Sequence, residues 1–179
     1  MAIYKEDKIL DEIIPELAKK IIVAARTAPK TRGMNNLITA ILTGNDIRLL
    51  ANKMKEIGEA NDNHIFLRDS QNVLDGAKAV VLLGCKISAA GLQLCGLCGF
   101  ENCDEKNKYP NTPCSFNTTD LGIAVGSAVA TAADLRIDNR VMYTIGMAAK
   151  ELNQLGDDCK IIYGIPLSAS SKNPFFDRK

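Results

Sequence analysis

Residues 120–137 read DLGIAVGSAVATAADLRI. Gly122, Ala124, Gly126, Ser127, Ala128, Ala130, Ala132 and Ala133 give this stretch a small surface. With so little side chain, another backbone can approach closely. Asn117-Thr118-Thr119-Asp120 supplies side chains that accept from free N–H groups, so the pattern predicts a helix from that cap to about Asp134. Such a helix suits the centre of a domain or a boundary between subunits, and the residues alone leave both open.

Upstream, Ala79 to Gly84 (AVVLLG) is uniformly apolar, as a strand covered on both faces would be. Leu37 to Leu42 reads as a second buried strand and Ile65 to Leu67 as a short one. Ile47, Leu50, Met54 and Ile57 recur at helical spacing after the turn at Gly44-Asn45. Pro15 suits the first position of an earlier helix, which Leu17, Ile21, Ala24 and Ala25 continue until Ala28-Pro29 ends it. Lys30 to Asn36 is then a loop with two cations. Downstream, Val141 to Ile145 reads as a strand and Ala148 to Leu155 as a short helix closed by Gly156. Lys160 to Ile165 is a last strand, which Pro166 stops, and the polar tail carries an exposed Phe175-Phe176 pair. The mixture of strands and helices is an α+β domain.

A chain of 179 residues, 46% of them apolar, can bury a real core. Its 22 Lys and Arg against 21 Asp and Glu give no field for nucleic acid or a membrane surface. Met1 to Asp11 lacks the apolar core of a signal peptide, and Leu121 to Leu135 is too short and too polar to span a bilayer. The expectation is a cytoplasmic protein that binds neither nucleic acid nor membrane.

Six cysteines in that compartment do not read as disulfides. Four of them fall in LCGLCGFENCDEKNKYPNTPCSF, a C-x2-C-x4-C-x10-C pattern formed by Cys95, Cys98, Cys103 and Cys114. Gly96 and Gly99 let the loop turn with positive φ, and Pro110 and Pro113 stiffen the approach to Cys114. Four thiolates can hold a [4Fe–4S] cluster or a structural zinc. Three clustered cysteines and one remote favour the cluster, since zinc sites usually pair two close-cysteine knuckles. Four buried free thiols are a third reading. Cys85 and Cys159 read as core residues, and the lone His64 as a solvated turn residue that leaves a histidine-based hydrolase little to work with.

The segment CGLCGFENC resembles the CGxCGxxxC core of the four-cysteine 4Fe–4S domain, with Cys114 where a fourth ligand belongs. The remainder resembles a reduced nitroreductase-type domain. AARTAPKTRGMNN (residues 24–36) is similar to the flavin-lining end of that family's first long helix, residues 120–137 to its central dimer helix, and IIYGIP with the basic tail to its closing strand and C-terminal arm. The family of uncharacterised ferredoxin-domain proteins (DUF2148) joins the two features, and this chain resembles it along most of its length. The resemblance implies a nitroreductase-like fold over residues 1–179, with a central mostly antiparallel or mixed sheet flanked by helices and a cysteine-rich insertion at 85–116. It implies a homodimer with FMN at the subunit boundary, where Arg26, Pro29, Lys30, Arg32 and Asn35 approach the flavin and Arg178 its phosphate. Lys30 stands where the family has serine, and the family's Arg-Arg-Ser start is absent. The function that follows is redox: electron transfer, or FMN-dependent oxidation or reduction of a small molecule, with a redox partner protein. Alternatives are a cluster-only electron carrier or redox sensor, and a zinc-stapled, non-catalytic ligand-binding domain.

Overall fold

The computed structural model describes residues 3–176. A strand that is apolar at every position belongs in the middle of a sheet, and β2 (Ala79–Lys86) sits there. It pairs antiparallel with β1 (Leu37–Leu42) on one side and β4 (Cys159–Ser168) on the other. The two-residue β3 (Asp138–Asn139) closes the order β1-β2-β4-β3, with every pairing antiparallel.

Alternation along β2 feeds two cores. Val81, Leu83 and Cys85 face α1 (Glu6–Thr27) and α5 (Ser115–Asp134), where Ile14, Ala18, Ile21, Leu121, Ala124 and Ala128 are buried. Val80 and Leu82 face α2 (Asn45–Ala60), α3 (His64–Gly76) and α6 (Tyr143–Glu151), with Leu50, Met54, Val73 and Ile145. The small residues of α5 serve one face here: Ala124, Ala128 and Ala132 are buried against α1, while Gly122, Gly126 and Ala130 stay outside. On the other layer, α6 lies directly on β4. A Cβ at Gly146 would overlap the Ile162 carbonyl oxygen, and one at Gly164 would overlap the Ile145 side chain.

Several local expectations are corrected. The first helix begins at Glu6, nine residues before Pro15, with Glu6 and Asp7 placed to complement its N-terminal dipole. Ile65 to Leu67 is helical, because Asn63 Oδ1 accepts from the Ile65 and Phe66 N–H groups and starts α3 there. Val141 to Ile145 is no strand: Met142 makes one bridge to Gly164 and the chain enters α6. That helix ends at Glu151, and Gly156 closes the following turn at φ +84°. α5 starts at Ser115 with Cys114 at its cap, so Asn117 is free to accept from Ser88 N–H at 2.9 Å.

β4 continues through Pro166 to Ser168. Gly164 N–H points at Met142, and two residues on the Pro166 nitrogen faces the same edge, in the gap between that bridge and β3. The missing N–H therefore breaks no ladder bond. The tail folds back in a 3-10 turn at Pro174–Phe176, and Phe175 is fully buried while Phe176 lies exposed under Arg140. Arg140 also donates to the Phe175 carbonyl and, with Arg68 and Thr144, to the buried Asp69 carboxylate.

Candidate functional site

Beyond β2 the chain leaves the sheet and runs to Asn102 without regular structure. Gly96 and Gly99 take φ +58° and +86°, and Gly99 N–H donates to Gly96 carbonyl at 2.9 Å, so the turn between Cys95 and Cys98 is tight. Leu94, also left-handed, stands fully exposed at its tip. Asn102 Oδ1 accepts from Glu105 N–H and starts α4 (Cys103–Asn107), whose first residue is the third cysteine. Phe100 stacks on Tyr109, with ring centroids 5.2 Å apart. Cys95, Cys98 and Cys103 are half-buried and Cys114 is buried.

Among the described residues, no three His, Cys, Asp or Glu side chains meet closely enough to hold a single metal ion. A cubane cluster does not require that convergence, because each of its four irons takes its own thiolate. Four free thiols around a loop turned by two left-handed glycines fit such a group in donor type and number.

The loop between α1 and β1 lies against this segment. Arg32, itself at φ +55°, donates to the Ala90 carbonyl at 2.9 Å and to Gly91 at 3.4 Å. Asp120 on α5 accepts from the Thr31 N–H and hydroxyl, fixing the same loop from below. Arg26, Pro29, Lys30 and Asn35 together line an open concavity of about 470 Å³. Arg32 is not on it, since its guanidinium turns to the cysteine segment, and Arg178 lies outside the described residues.

The two cations on the concavity differ in what they can offer. Arg26 uses Nη1 on the Asn35 side chain and the Leu37 carbonyl, and is otherwise exposed. Lys30 donates to the carbonyls of Ala25, Arg26 and Ala28, which occupies all three ammonium protons in closing the end of α1. Burial, then the Arg26 guanidinium, push its pKa below the usual lysine range, while Asp120 pulls the other way.

Cys85 lies one layer beneath, beside Lys30, Asn117 and Asp120, in a niche large enough for about one water. Burial, then Cys159 and Asp120, push its thiol up to about 12, and burial puts Cys159 at about 11. Both exceed the ordinary 9.0, so the unfolded chain ionises first. Their contribution to stability is complete below pH 9 and is lost as pH rises through 11 and 12. In metal-free protein at neutral pH, iodoacetamide is expected to label Cys95, Cys98 and Cys103 and leave Cys85 and Cys159 unmodified. Peptide mass spectrometry reads this, and rapid labelling of Cys85 in folded protein would contradict the burial.

Sequence reasoning passed over Lys106, a buried lysine on the cysteine-bearing helix, although CDEKN places it three residues after Cys103.

The profile of the family described as "uncharacterized protein containing a ferredoxin domain (DUF2148)" matches residues 111–178. An uncharacterized protein of Archaeoglobus fulgidus is 40% identical over 162 residues, covering 87% of this chain and 86% of that one. The chain belongs to the DUF2148 family. Its DUF2148 fold is that of the nitroreductases. CinD, a nitroreductase of Lactococcus lactis solved with nicotinic acid, superposes with a TM-score of 0.63 at 16% identity over 99% of this chain and 84% of its own. A nitroreductase-family protein of Clostridium novyi gives 0.58 at 16% identity over 94% and 77%. A putative nitroreductase of Desulfovibrio desulfuricans, solved with FMN, gives 0.56 at 15% identity over 92% and 78%. A ferredoxin-domain family on a nitroreductase fold suggests redox function for this DUF2148 protein. Among the described residues no helix is long and apolar enough to cross a membrane.

Proposed function

We propose that this chain is a redox protein of the cytoplasm whose Cys95, Cys98, Cys103 and Cys114 hold a [4Fe–4S] cluster, carried by an insertion at 85–116 in a single domain of residues 1–179. FMN is its second cofactor, held at the concavity of Arg26, Pro29, Lys30 and Asn35. When bound, the cluster supplies single-electron transfer and the flavin supplies hydride or single-electron exchange with a small organic substrate. A redox partner protein delivers or removes the electrons.

The observation that carries this reading is the Arg32 bridge. The loop that forms the concavity is hydrogen-bonded, through Arg32, to the segment leading into the cysteines. Two cofactors placed at these two positions would share one support. Arg26 offers its free guanidinium edge to a phosphate, a charge-assisted and geometrically specific contact. Lys30 contributes field only, since its donors are engaged.

The test is an anaerobic visible spectrum of fresh protein before and after dithionite, with iron, sulfide, zinc and flavin assays on the same sample. Near-equal iron and sulfide, a bleaching brown absorbance and a two-banded flavin signal support the reading. Cluster without flavin favours a cluster-only electron carrier, the second reading, to which the engaged Lys30 gives some weight. Stoichiometric zinc without sulfide would refute both.

The homodimer of this reading would use the outer face of α5, where Gly122, Ile123, Gly126 and Ala130 are exposed on neighbouring turns. Nothing lies within 4 Å of a Cβ at Gly122 or Gly126. Replacing Gly126 by leucine should therefore stabilise the subunit by about 0.5–1 kcal/mol through helix propensity. It should also turn the dimer into a monomer, because the leucine occupies the space of the second backbone. Light scattering after gel filtration, with a melt of the same sample, reads both signs; a dimeric leucine variant would remove this interface.

A further inference from the structure

Among the described residues three side-chain atoms are buried without a hydrogen-bond partner: Asn72 Nδ2, Gln154 Oε1 and Ser115 Oγ. The first two belong to α3 and to the turn ahead of β4, whereas Ser115 opens α5 and follows Cys114 directly. A hydroxyl taken out of water with no partner is destabilising, and one that persists in a folded protein calls for a group that completes it. The neighbouring hydroxyls do not share the problem. Thr118 and Thr119 both donate to the Ser115 carbonyl, at 2.8 and 2.9 Å, as hydroxyls within a helix commonly do. At the first helical position no earlier turn offers Ser115 such a carbonyl, and its oxygen is left unpaired. Cys114 stands at the N-cap of this 20-residue helix, 4% exposed, and its side chain takes no bond from the N–H groups behind it. Asn117 holds the helix start to Ser88, on the segment that leads from β2 into the other three cysteines.

A ligating sulfur at that cap is the acceptor the hydroxyl lacks. Sulfur bound to iron carries negative charge, and hydrogen bonds to the sulfurs are among the features that set a cluster's potential. We propose that the Ser115 hydroxyl donates to sulfur at the Cys114 corner of the cluster. The inference rests on the [4Fe–4S] reading of Cys95, Cys98, Cys103 and Cys114. Covalent adjacency keeps the two groups together, since consecutive Cα atoms are only about 3.8 Å apart. Two effects follow from one bond. A free thiol is a weak acceptor, so the bond is made only with the cluster in place and strengthens its binding. The reduced cluster is one charge more negative and accepts the bond more strongly than the oxidised one, so Ser115 raises the reduction potential. The N-terminus of α5 adds its partial positive charge at the same corner. Ser115 tunes the cluster through sulfur and makes no bond to iron.

The experiment compares wild-type protein with Ser115→Ala, which removes the hydroxyl, and Ser115→Thr, which keeps it. Thr118→Ala is the control, since it removes a hydroxyl already bonded within the helix. Each is reconstituted anaerobically with iron and sulfide, assayed for both, titrated for midpoint potential, and melted in the cluster-free form. Ser115→Ala should bind the cluster at lower potential, with a reduced-to-oxidised ratio about threefold smaller at fixed ambient potential, which is about 28 mV for one electron. Its cluster-free form should melt no lower than cluster-free wild type, because no bond is lost there. Ser115→Thr and Thr118→Ala should keep the wild-type potential. If Ser115→Ala takes up no cluster, an undiminished cluster-free melt together with normal loading of Ser115→Thr upholds the bond, and any other combination overturns it. An unchanged potential in loaded Ser115→Ala shows a hydroxyl bonded elsewhere and overturns the proposal while leaving the cluster in place. A lower cluster-free melt, or an equal fall in potential in Ser115→Thr or Thr118→Ala, overturns it as well. Wild-type protein that takes up no iron and sulfide overturns the cluster reading, and this inference with it.

Discussion

Gly146→Ala is expected to cost more than about 3 kcal/mol, the upper range for overpacking a core. The single methyl would overlap the carbonyl oxygen of Ile162, which belongs to the strand beside β2 and has no freedom to withdraw. Relief requires α6 to lift off β4, and that exposes Ile145, Met142 and Ala149 from the second core. Most small domains have only about 5–15 kcal/mol of stability, so the variant should unfold at far lower denaturant or fail to accumulate. Urea melts of wild type and variant measure it. A loss below about 1 kcal/mol would mean that α6 does not lie on β4 as closely as described.

Cys98→Ala should behave in the opposite way, removing the proposed metal centre and leaving the body of the protein folded. With one thiolate gone the remaining three under-coordinate the group, and affinity should fall at least about tenfold, since even changes outside the ligands themselves have effects of that size. The body does not depend on the segment: neither core cluster contains a residue between 86 and 120. Iron, sulfide and zinc analysis after anaerobic purification should show the loss, while the cluster-free thermal melt stays within a few degrees of cluster-free wild type. A complete loss of the cooperative melt would make the metal centre a structural nucleus of the fold.

What the sequence made legible follows from how local each cause is. The central position of β2 was readable because a strand buried on both faces has no polar residues, and Ala79 to Leu83 has none. Gly96 and Gly99 were readable because a left-handed turn between two cysteines asks for glycine there. The start of α3 was missed because Asn63 acts through its own side chain, against the β-like look of Ile65 to Leu67. The start of α6 was read as a strand because Val141 to Ile145 is rich in β-branched residues, and the reason it is helical lies elsewhere. Gly146 meets Ile162, and Gly164 meets Ile145, only in the folded state, where α6 lies on β4.

The candidate site was legible in part for the same reason. Arg26, Pro29, Lys30 and Asn35 do come together on one concavity. Arg32 does not join them, because its partners are carbonyls 58 and 59 residues away that no spacing announces. Lys30 closes a helix end, a role that the loss of a serine at that position left open. Phe175, next to an exposed phenylalanine in a polar tail, is buried because Arg140 holds its carbonyl and folds the tail inward.

On the ribosome, β2 and β3 emerge well before β4, the strand that must lie between them. Until residues 159–168 leave the exit tunnel the sheet has no means of closing, so the body of the protein is not complete before then. Cys95, Cys98, Cys103 and Cys114 are all outside by then, on a nascent chain with no finished core beneath them. Under the proposed cluster reading, iron delivery and oxidative damage would compete for these thiols before the sheet is complete, with oxygen and iron supply in that interval setting the outcome.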